Sequence, residues 1–312
     1  MSSCWRSSEQ GVVSSEQASG GQSLGGIVRP WPQTGREEME IDMAQLGVIN
    51  YNWPGYDLEG FAARASEIGY TSCELQIGDI WAGEGEHAEQ RAEDVRRLFE
   101  KHGMQISAVE AGNDFLQADP EELEAQIRRY RRVCEVVPHT GTDIVRSDGG
   151  WNRGDQVPQD QWDGMMLEAF QHCAEFLEEL DVRIALDNHG VTTNDGDWQL
   201  SLIERVGSER LGVNLDTMNY LWYGHALDRI DHFYEILAPH VFHTHFKDGK
   251  GSRENYKGAA LGEGDIHLDH AVACLRKAGY DGAWTAEYEG PEAEGGVGYE
   301  KCYKWLQTNV PV

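Results

Sequence analysis

Positive charge is scarce in this sequence. Of 312 residues only 26 are Lys or Arg, against 54 Asp or Glu, for a formal net charge of −28. Lysine is the rarer cation: Lys101, Lys247, Lys250, Lys257, Lys277, Lys301 and Lys304 are all of them. So acidic a chain repels phosphate backbones and anionic lipid, which argues against a general nucleic-acid or membrane partner. Long apolar runs are missing as well, and nothing approaches the roughly 18 uninterrupted apolar residues of a spanning helix. The cysteines (Cys4, Cys73, Cys134, Cys173, Cys274 and Cys302) form no C-x-x-C pair. A chain of this length needs no disulfide staples, so they read as reduced thiols of a cytoplasmic protein. Finally, no glycine-rich phosphate turn follows the first apolar segment. Asn50-Tyr51-Asn52-Trp53-Pro54-Gly55 stands there instead, which argues against an open dinucleotide-binding sheet.

Residues 1–42 are rich in Ser, Gly and Gln and have no apolar periodicity. With no apolar segment after a basic start, they do not resemble a secretory signal. They read as a disordered N-terminal tail or an upstream start, with Met43 opening the folded domain. From Leu46 onward, eight short apolar segments alternate with amphipathic stretches: 46–50, 72–77, 105–111, 143–148, 183–188, 212–217, 241–246 and 283–288. Asp119-Pro120-Glu121-Glu122 has the form of a helix start, and Gly69, Gly103 and Gly279 stand where helix-ending glycines belong. Strands separated by helices make a parallel sheet, and eight of them close. The expectation is an α/β fold: a (β/α)8 TIM barrel, single domain, over 43–312.

Such a barrel builds its site at the C-terminal ends of its strands. There the fifth segment ends in Asp187-Asn188-His189, the sixth in Asp216-Thr217-Met218-Asn219, the seventh in His243-Thr244-His245-Phe246-Lys247-Asp248, and the eighth in Glu287-Tyr288-Glu289. Three carboxylates meeting there, Asp187, Asp216 and Glu287, would repel one another unless a cation joined them. With one imidazole they make a hard, oxygen-rich donor set suited to a divalent ion, Mn²⁺ foremost, then Mg²⁺ or Co²⁺, rather than a structural zinc. Alternation puts His243 and His245 on one face. His245, nearer the strand end, is the expected ligand, with His243 behind it. Glu74 in the second segment, Arg146 in the fourth, Asn219 after the sixth and Trp53 among the rim tryptophans are candidate substrate contacts. Trp81, Trp151 and Trp222 share that rim.

The His243-x-His245-x-Lys247-Asp248 pattern, the Leu-Gly-Glu-Gly-Asp-Ile run at 261–266 and Glu287-Tyr288-Glu289 carry a likeness over about 46–306. The sequence resembles the xylose isomerase-like barrels, specifically the sugar phosphate isomerase/epimerase group that includes ketose 3-epimerases and inosose dehydratases. The resemblance implies one divalent metal on Asp187, Asp216, His245 and Glu287. It also implies that the carboxylates of the fifth and eighth strands, Asp187 and Glu287, move the proton. Two positions depart from it: Asp187 stands where a Glu is usual, and Asn219 where many sugar epimerases carry a substrate-binding His. Type IV apurinic endonucleases share the barrel but need three zincs and more ligands than stand here.

The reaction expected of such a site is proton abstraction next to a carbonyl, the ion stabilising the enediolate that develops. Glu287, His189 and Lys247 are the candidate bases. Return of the proton makes an isomerase or epimerase acting on a sugar or polyol ketone. Loss of a β-oxygen, or cleavage of a C-glycoside, makes a lyase on the same site. A non-catalytic, metal-stabilised sugar-binding protein is the third reading. A homo-oligomer is expected. The acidic excess also points to a salt-adapted host. Calorimetric scans from about 0.05 M to about 1 M NaCl should therefore show the unfolding temperature climbing as salt screens like charges. Full folding with no upward shift would remove that reading.

Overall fold

Each of the eight apolar segments becomes a strand of one sheet. The computed structural model describes residues 44–81, 87–152 and 156–310. The expected tail, 1–42, lies outside the described residues. In chain order the strands are β1 (Leu46–Ile49), β2 (Ser72–Gln76), β3 (Gln105–Glu110), β4 (Ile144–Ser147), β5 (Arg183–Asp187), β6 (Leu211–Asp216), β7 (Val241–Phe246), β8 (Asp248–Lys250), β9 (Lys257–Ala259) and β10 (Trp284–Ala286). All but β8 and β9 pair in parallel as a closed barrel in the order β1-β10-β7-β6-β5-β4-β3-β2. The helices are α1 (Leu58–Ile68), α2 (Ile77–Ile80), α3 (Ala88–Lys101), α4 (Pro120–Val136), α5 (Gln159–Leu180), α6 (Gly196–Val206), α7 (Asn219–Tyr223), α8 (Leu227–Leu237), α9 (Leu268–Ala278) and α10 (Val297–Asn309). None among the described residues is long and apolar enough to cross a membrane.

The local chemistry explains the boundaries. At the start of α4, Asp119 accepts a hydrogen bond from the Glu121 N–H at 2.9 Å, and Pro120 fills the first turn, where a missing N–H costs nothing. Gly69 closes α1 at φ 118°, a left-handed conformation that a side chain resists. A Cβ there would also meet the Tyr303 ring. Strands clad by helices are buried on both faces, and β4 and β6 are buried along their whole length. A polar group on either strand must therefore find a partner inside the protein.

Strand register sets the height of each side chain at the barrel mouth. Asp216 of β6 lies level with His245 of β7, and Thr285 of β10 pairs with the same His245. Glu287 follows one turn of the ladder later, its N–H donating to the Phe246 carbonyl at 2.9 Å. Asp187 of β5, by contrast, is level with Asn214, two residues below Asp216.

The antiparallel hairpin of β8 and β9 was not anticipated; its three-residue strands carry too little alternation to read. Asp248 anchors it. Its carboxylate accepts from the N–H groups of Gly249 (2.8 Å), Gly262 (2.9 Å), Gly264 (3.0 Å) and Ile266 (3.4 Å). The Leu-Gly-Glu-Gly-Asp-Ile run is thus a loop wrapped round one carboxylate, and a Cβ on Gly264 would overlap it. Asp248→Ala leaves those N–H groups without their acceptor. It is expected to lower the unfolding free energy by about 2–4 kcal/mol, measurable by urea denaturation; a change within error would show that the loop holds itself.

Candidate functional site

The polar residues at the barrel mouth form two clusters, each built round one buried cation. Arg146, on β4, is the centre of the first. Its Nε donates to Glu74 at 2.8 Å, and its Nη1 donates to Asp148 at 2.6 Å and to Asp187 at 2.7 Å. The other Asp187 oxygen accepts from Asn214 Nδ2 at 3.0 Å. Burial alone would make Asp187 and Glu74 reluctant to ionise. The nearby charges reverse this: Arg146 holds Asp187 well below the usual carboxylate range, and His245 with Arg146 brings Glu74 down to about 2.

Lys247 is the centre of the second cluster, just beyond β7. Its Nζ lies 3.0 Å from Glu287 Oε1, 3.2 Å from Glu289 Oε1, 3.5 Å from Asp216 Oδ2 and 3.1 Å from Asn219 Oδ1. Burial opposes the ammonium charge, but Asp216, Glu287 and Glu289 outweigh it and raise the pKa well above that of a free lysine. The three carboxylates favour its ammonium form, and a base must be neutral, so Lys247 is poorly suited to that expected role.

His245 joins the two clusters. Its Nε2 is 2.7 Å from Glu74 Oε2, while its Nδ1 is 3.1 Å from Glu287 Oε2 and 3.9 Å from Asp216 Oδ2. With Nε2–H directed to Glu74, Nδ1 is the nitrogen turned toward the other two carboxylates. This is the second partner that metal-binding histidines ordinarily have. Ligand atoms of Asp216, His245 and Glu287 lie within 4.8 Å of one another. Asp216 Oδ2 is buried without a hydrogen-bond partner among the described residues. Burial together with Glu287 and Asp187 pushes the Asp216 carboxyl up to about 7, against the pull of Lys247. A carboxylate oxygen with no hydrogen bond, a second carboxylate and an oriented imidazole nitrogen form a donor set that fits a divalent cation.

Asp187, expected as the fourth ligand, falls in a different group, with Asp148 and His189. Register is the reason: its short side chain starts level with Asn214 and is met by Asn214 and Arg146 before it can rise to Asp216. His243, the other strand histidine, faces inward between Asn214 Oδ1 (2.9 Å), Ser107 Oγ (3.2 Å) and Thr285 Oγ1 (3.3 Å). Burial lowers its pKa to about 3, so it is a neutral core group, as the alternation argument placed it.

A cavity of about 440 Å³ opens over both clusters, lined by His245, Glu287, Glu289, Asp187, His189 and Arg146 among others. His189 Nδ1 is 3.6 Å from Asp187 Oδ2, and the ring meets Trp151 edge-on at 4.5 Å. Three expected substrate contacts are elsewhere. Trp53 is buried and stacks flat on Tyr299 at 4.1 Å; the loop after β1 folds inward, and the ring belongs to the core. Glu74 is consumed by Arg146 and His245, and Asn219 by Lys247. Arg146 does reach the cavity, but with Nε and Nη1 already given to carboxylates. Of the four rim tryptophans Trp151 alone lines it. Glu110, Asp148 and Glu289 also line the cavity and were missed, although all three stand at strand ends.

Residues 62–309 match the family described as xylose isomerase-like TIM barrel. The chain belongs to that family. No curated protein matches the sequence. Solved structures do. D-psicose 3-epimerase of Clostridium cellulolyticum H10, crystallised with D-tagatose, superposes with a TM-score of 0.69 at 13% identity, over 85% of this chain and 98% of that one. The probable 3-DHS dehydratase AsbF of Bacillus anthracis gives 0.65 at 16% identity, over 85% and 99%. The IolI protein, with a bound zinc atom, gives 0.66 at 15%, over 85% and 96%. Epimerase and dehydratase thus share this barrel, and at these identities the likeness extends to the fold alone.

The Arg146 network makes a stability prediction. Arg146→Met would strand three buried carboxylates without their cation. The loss is expected to be about 3–5 kcal/mol, read as a shift of the urea midpoint at unchanged slope. A shift within error would mean that the carboxylates simply take up protons.

Proposed function

We propose that the protein is a divalent-metal-dependent isomerase that moves a proton next to the carbonyl of a sugar or polyol ketone. The observation that carries this reading is the Asp216, His245 and Glu287 group, with Glu74 orienting the imidazole and an Asp216 oxygen that makes no hydrogen bond among the described residues, beside a cavity that His245 and Glu287 line. Asp216, His245 and Glu287 would hold the ion. Bound there, it would supply the Lewis acidity that polarises a carbonyl and its neighbouring hydroxyl.

The remaining roles follow from the side chains. Lys247, buried beneath the cavity lining, holds Glu287 and Glu289 in place and offsets their negative charge. Glu287 is held far below the ordinary carboxylate range, chiefly by Lys247 and His245 in opposition to burial, so it is a poor base. His189 is the better one. It is half-buried, lines the cavity and has the Asp187 carboxylate 3.6 Å behind it, a negative charge that supports the charge the ring acquires. Its pKa lies above the ordinary imidazole value, because Asp187 and Asp148 outweigh burial.

One base suffices to carry a proton between adjacent carbons. Epimerisation needs a second on the opposite face, and Asp187, the expected one, has its oxygens engaged by Arg146 and Asn214. That same observation favours elimination as the second reading, since loss of a β-oxygen also needs one base. Mn²⁺, Mg²⁺ and Co²⁺ all suit the donor set, with Mn²⁺ our choice.

Incubation with a panel of ketoses and inososes in deuterated water tests the reading. Isomer formation with deuterium at the adjacent carbon supports isomerisation, and an unsaturated product supports the lyase. His189→Gln should slow exchange about 100-fold while leaving Mn²⁺ uptake, followed by equilibrium dialysis, unchanged. Asp216→Ala and Glu287→Ala should abolish uptake with the circular dichroism of the barrel intact, and Glu74→Gln should weaken it about 10- to 100-fold. Full Mn²⁺ affinity in Asp216→Ala would remove the metal assignment, and tight sugar binding without turnover would leave a binding protein.

A further inference from the structure

The cavity extends past the proposed metal ligands to a second wall made by Glu110, at the end of β3, and by Asp148 and Trp151, after β4. Glu110 is only 4% exposed. One of its carboxyl oxygens accepts from the Gly112 N–H. The other has no hydrogen-bond or ion-pair partner among the described residues, although the side chain borders open space. An acceptor that faces the cavity in this way is open to a donor from a bound molecule or from water.

The charge around Glu110 restricts what that molecule can be. Arg146 is the one Lys or Arg among the described residues lining the cavity, and Glu74, Asp148 and Asp187 already bind its guanidinium. Arg129, the next cation in that direction, donates instead to the backbone carbonyls of Ala111 and Gly112. Asp148 is held on its other oxygen by Trp151 Nε1 at 3.1 Å. Trp151 is 38% exposed and offers an apolar ring beside these acceptors, the usual companion of sugar hydroxyls.

We propose that this end of the cavity is a donor-selecting subsite, in which Glu110 accepts hydrogen bonds from the hydroxyl- or ammonium-bearing end of a substrate and phosphorylated or carboxylated molecules are excluded. That the substrate is a ketone rests on the function proposed above; the selection by charge does not. Burial pushes the Glu110 carboxyl up to about 7 against the pull of Arg146, and in either protonation state it keeps an acceptor oxygen for a hydroxyl. Glu110 is thus assigned as a specificity-determining residue.

Isothermal calorimetry on the full chain with Mn²⁺ tests the assignment, using D-fructose, D-fructose 6-phosphate, D-ribulose, D-ribulose 5-phosphate, myo-inositol and D-glucosamine. Each phosphate ester is expected to bind about tenfold or more weakly than its parent ketose. Glu110→Gln is expected to shrink that ratio by about fivefold or more, and Glu110→Lys to reverse it. Should the variants fail to fold, the wild-type ratios decide alone. Between the two sources of donor, tighter binding of D-glucosamine than of myo-inositol assigns an ammonium, and the reverse assigns hydroxyls. Equal or tighter binding of the esters would overturn the subsite, as would an unchanged ratio in folded Glu110→Gln, or failure of every neutral and amino probe to bind. Deuterium exchange separates this from the proposed reaction. Exchange with a preference for phosphate esters refutes the subsite alone, and discrimination without exchange refutes the reaction alone.

Discussion

One buried guanidinium makes the mouth of this barrel possible. Glu74, Asp148 and Asp187 come from three different strands or their ends, and each would resist ionising at its depth if it stood by itself. Arg146 touches all three. By keeping Glu74 ionised it also keeps a hydrogen-bond acceptor beneath His245, and by holding Asp187 it fixes the group behind His189. The proposed metal ligand and the proposed base are therefore oriented from the same point.

Lys247 performs the equivalent task one layer higher. It gathers Asp216, Glu287 and Glu289, and Asn219 holds it in place. The two cations stand on opposite sides of His245, so the site has a carboxylate-rich floor for the proposed metal and a separate carboxylate-rich wall for the proposed substrate. Solved structures with this fold include a D-psicose 3-epimerase and a probable 3-DHS dehydratase. A barrel rim assembled from eight separate strand ends allows such variety, because one strand end can change its residue without disturbing the packing below.

Much of this was legible from pattern. Alternation of short apolar runs with amphipathic stretches located all eight barrel strands, since a parallel sheet clad by helices must be apolar on both faces. The same rule, reading what stands at each strand end, found Asp216, His245, Glu287, Lys247 and His189. Applied with equal care to β3 and β4 it would have found Glu110 and Asp148. Glu110 gave no signal because it is a lone carboxylate in QISAVEA, whereas Asp148 stands two residues from Arg146, the cation it pairs with. Trp53 went the other way: an aromatic residue just after a strand looks like a substrate contact, and only the position of Tyr299, far along the chain, turns it into core.

What the sequence by itself determined is the fold and the identity of the groups delivered to its rim, because both depend on periodicity and on the position of a residue within its own strand. What only the tertiary structure decided is which of those groups meet. Asp187 was read as a ligand from its place at the end of β5, yet inter-strand register sets it beside Asn214 and within reach of Arg146. Register, and the choice of partner among many charges, arise from packing between segments dozens of residues apart, and no local pattern encodes them.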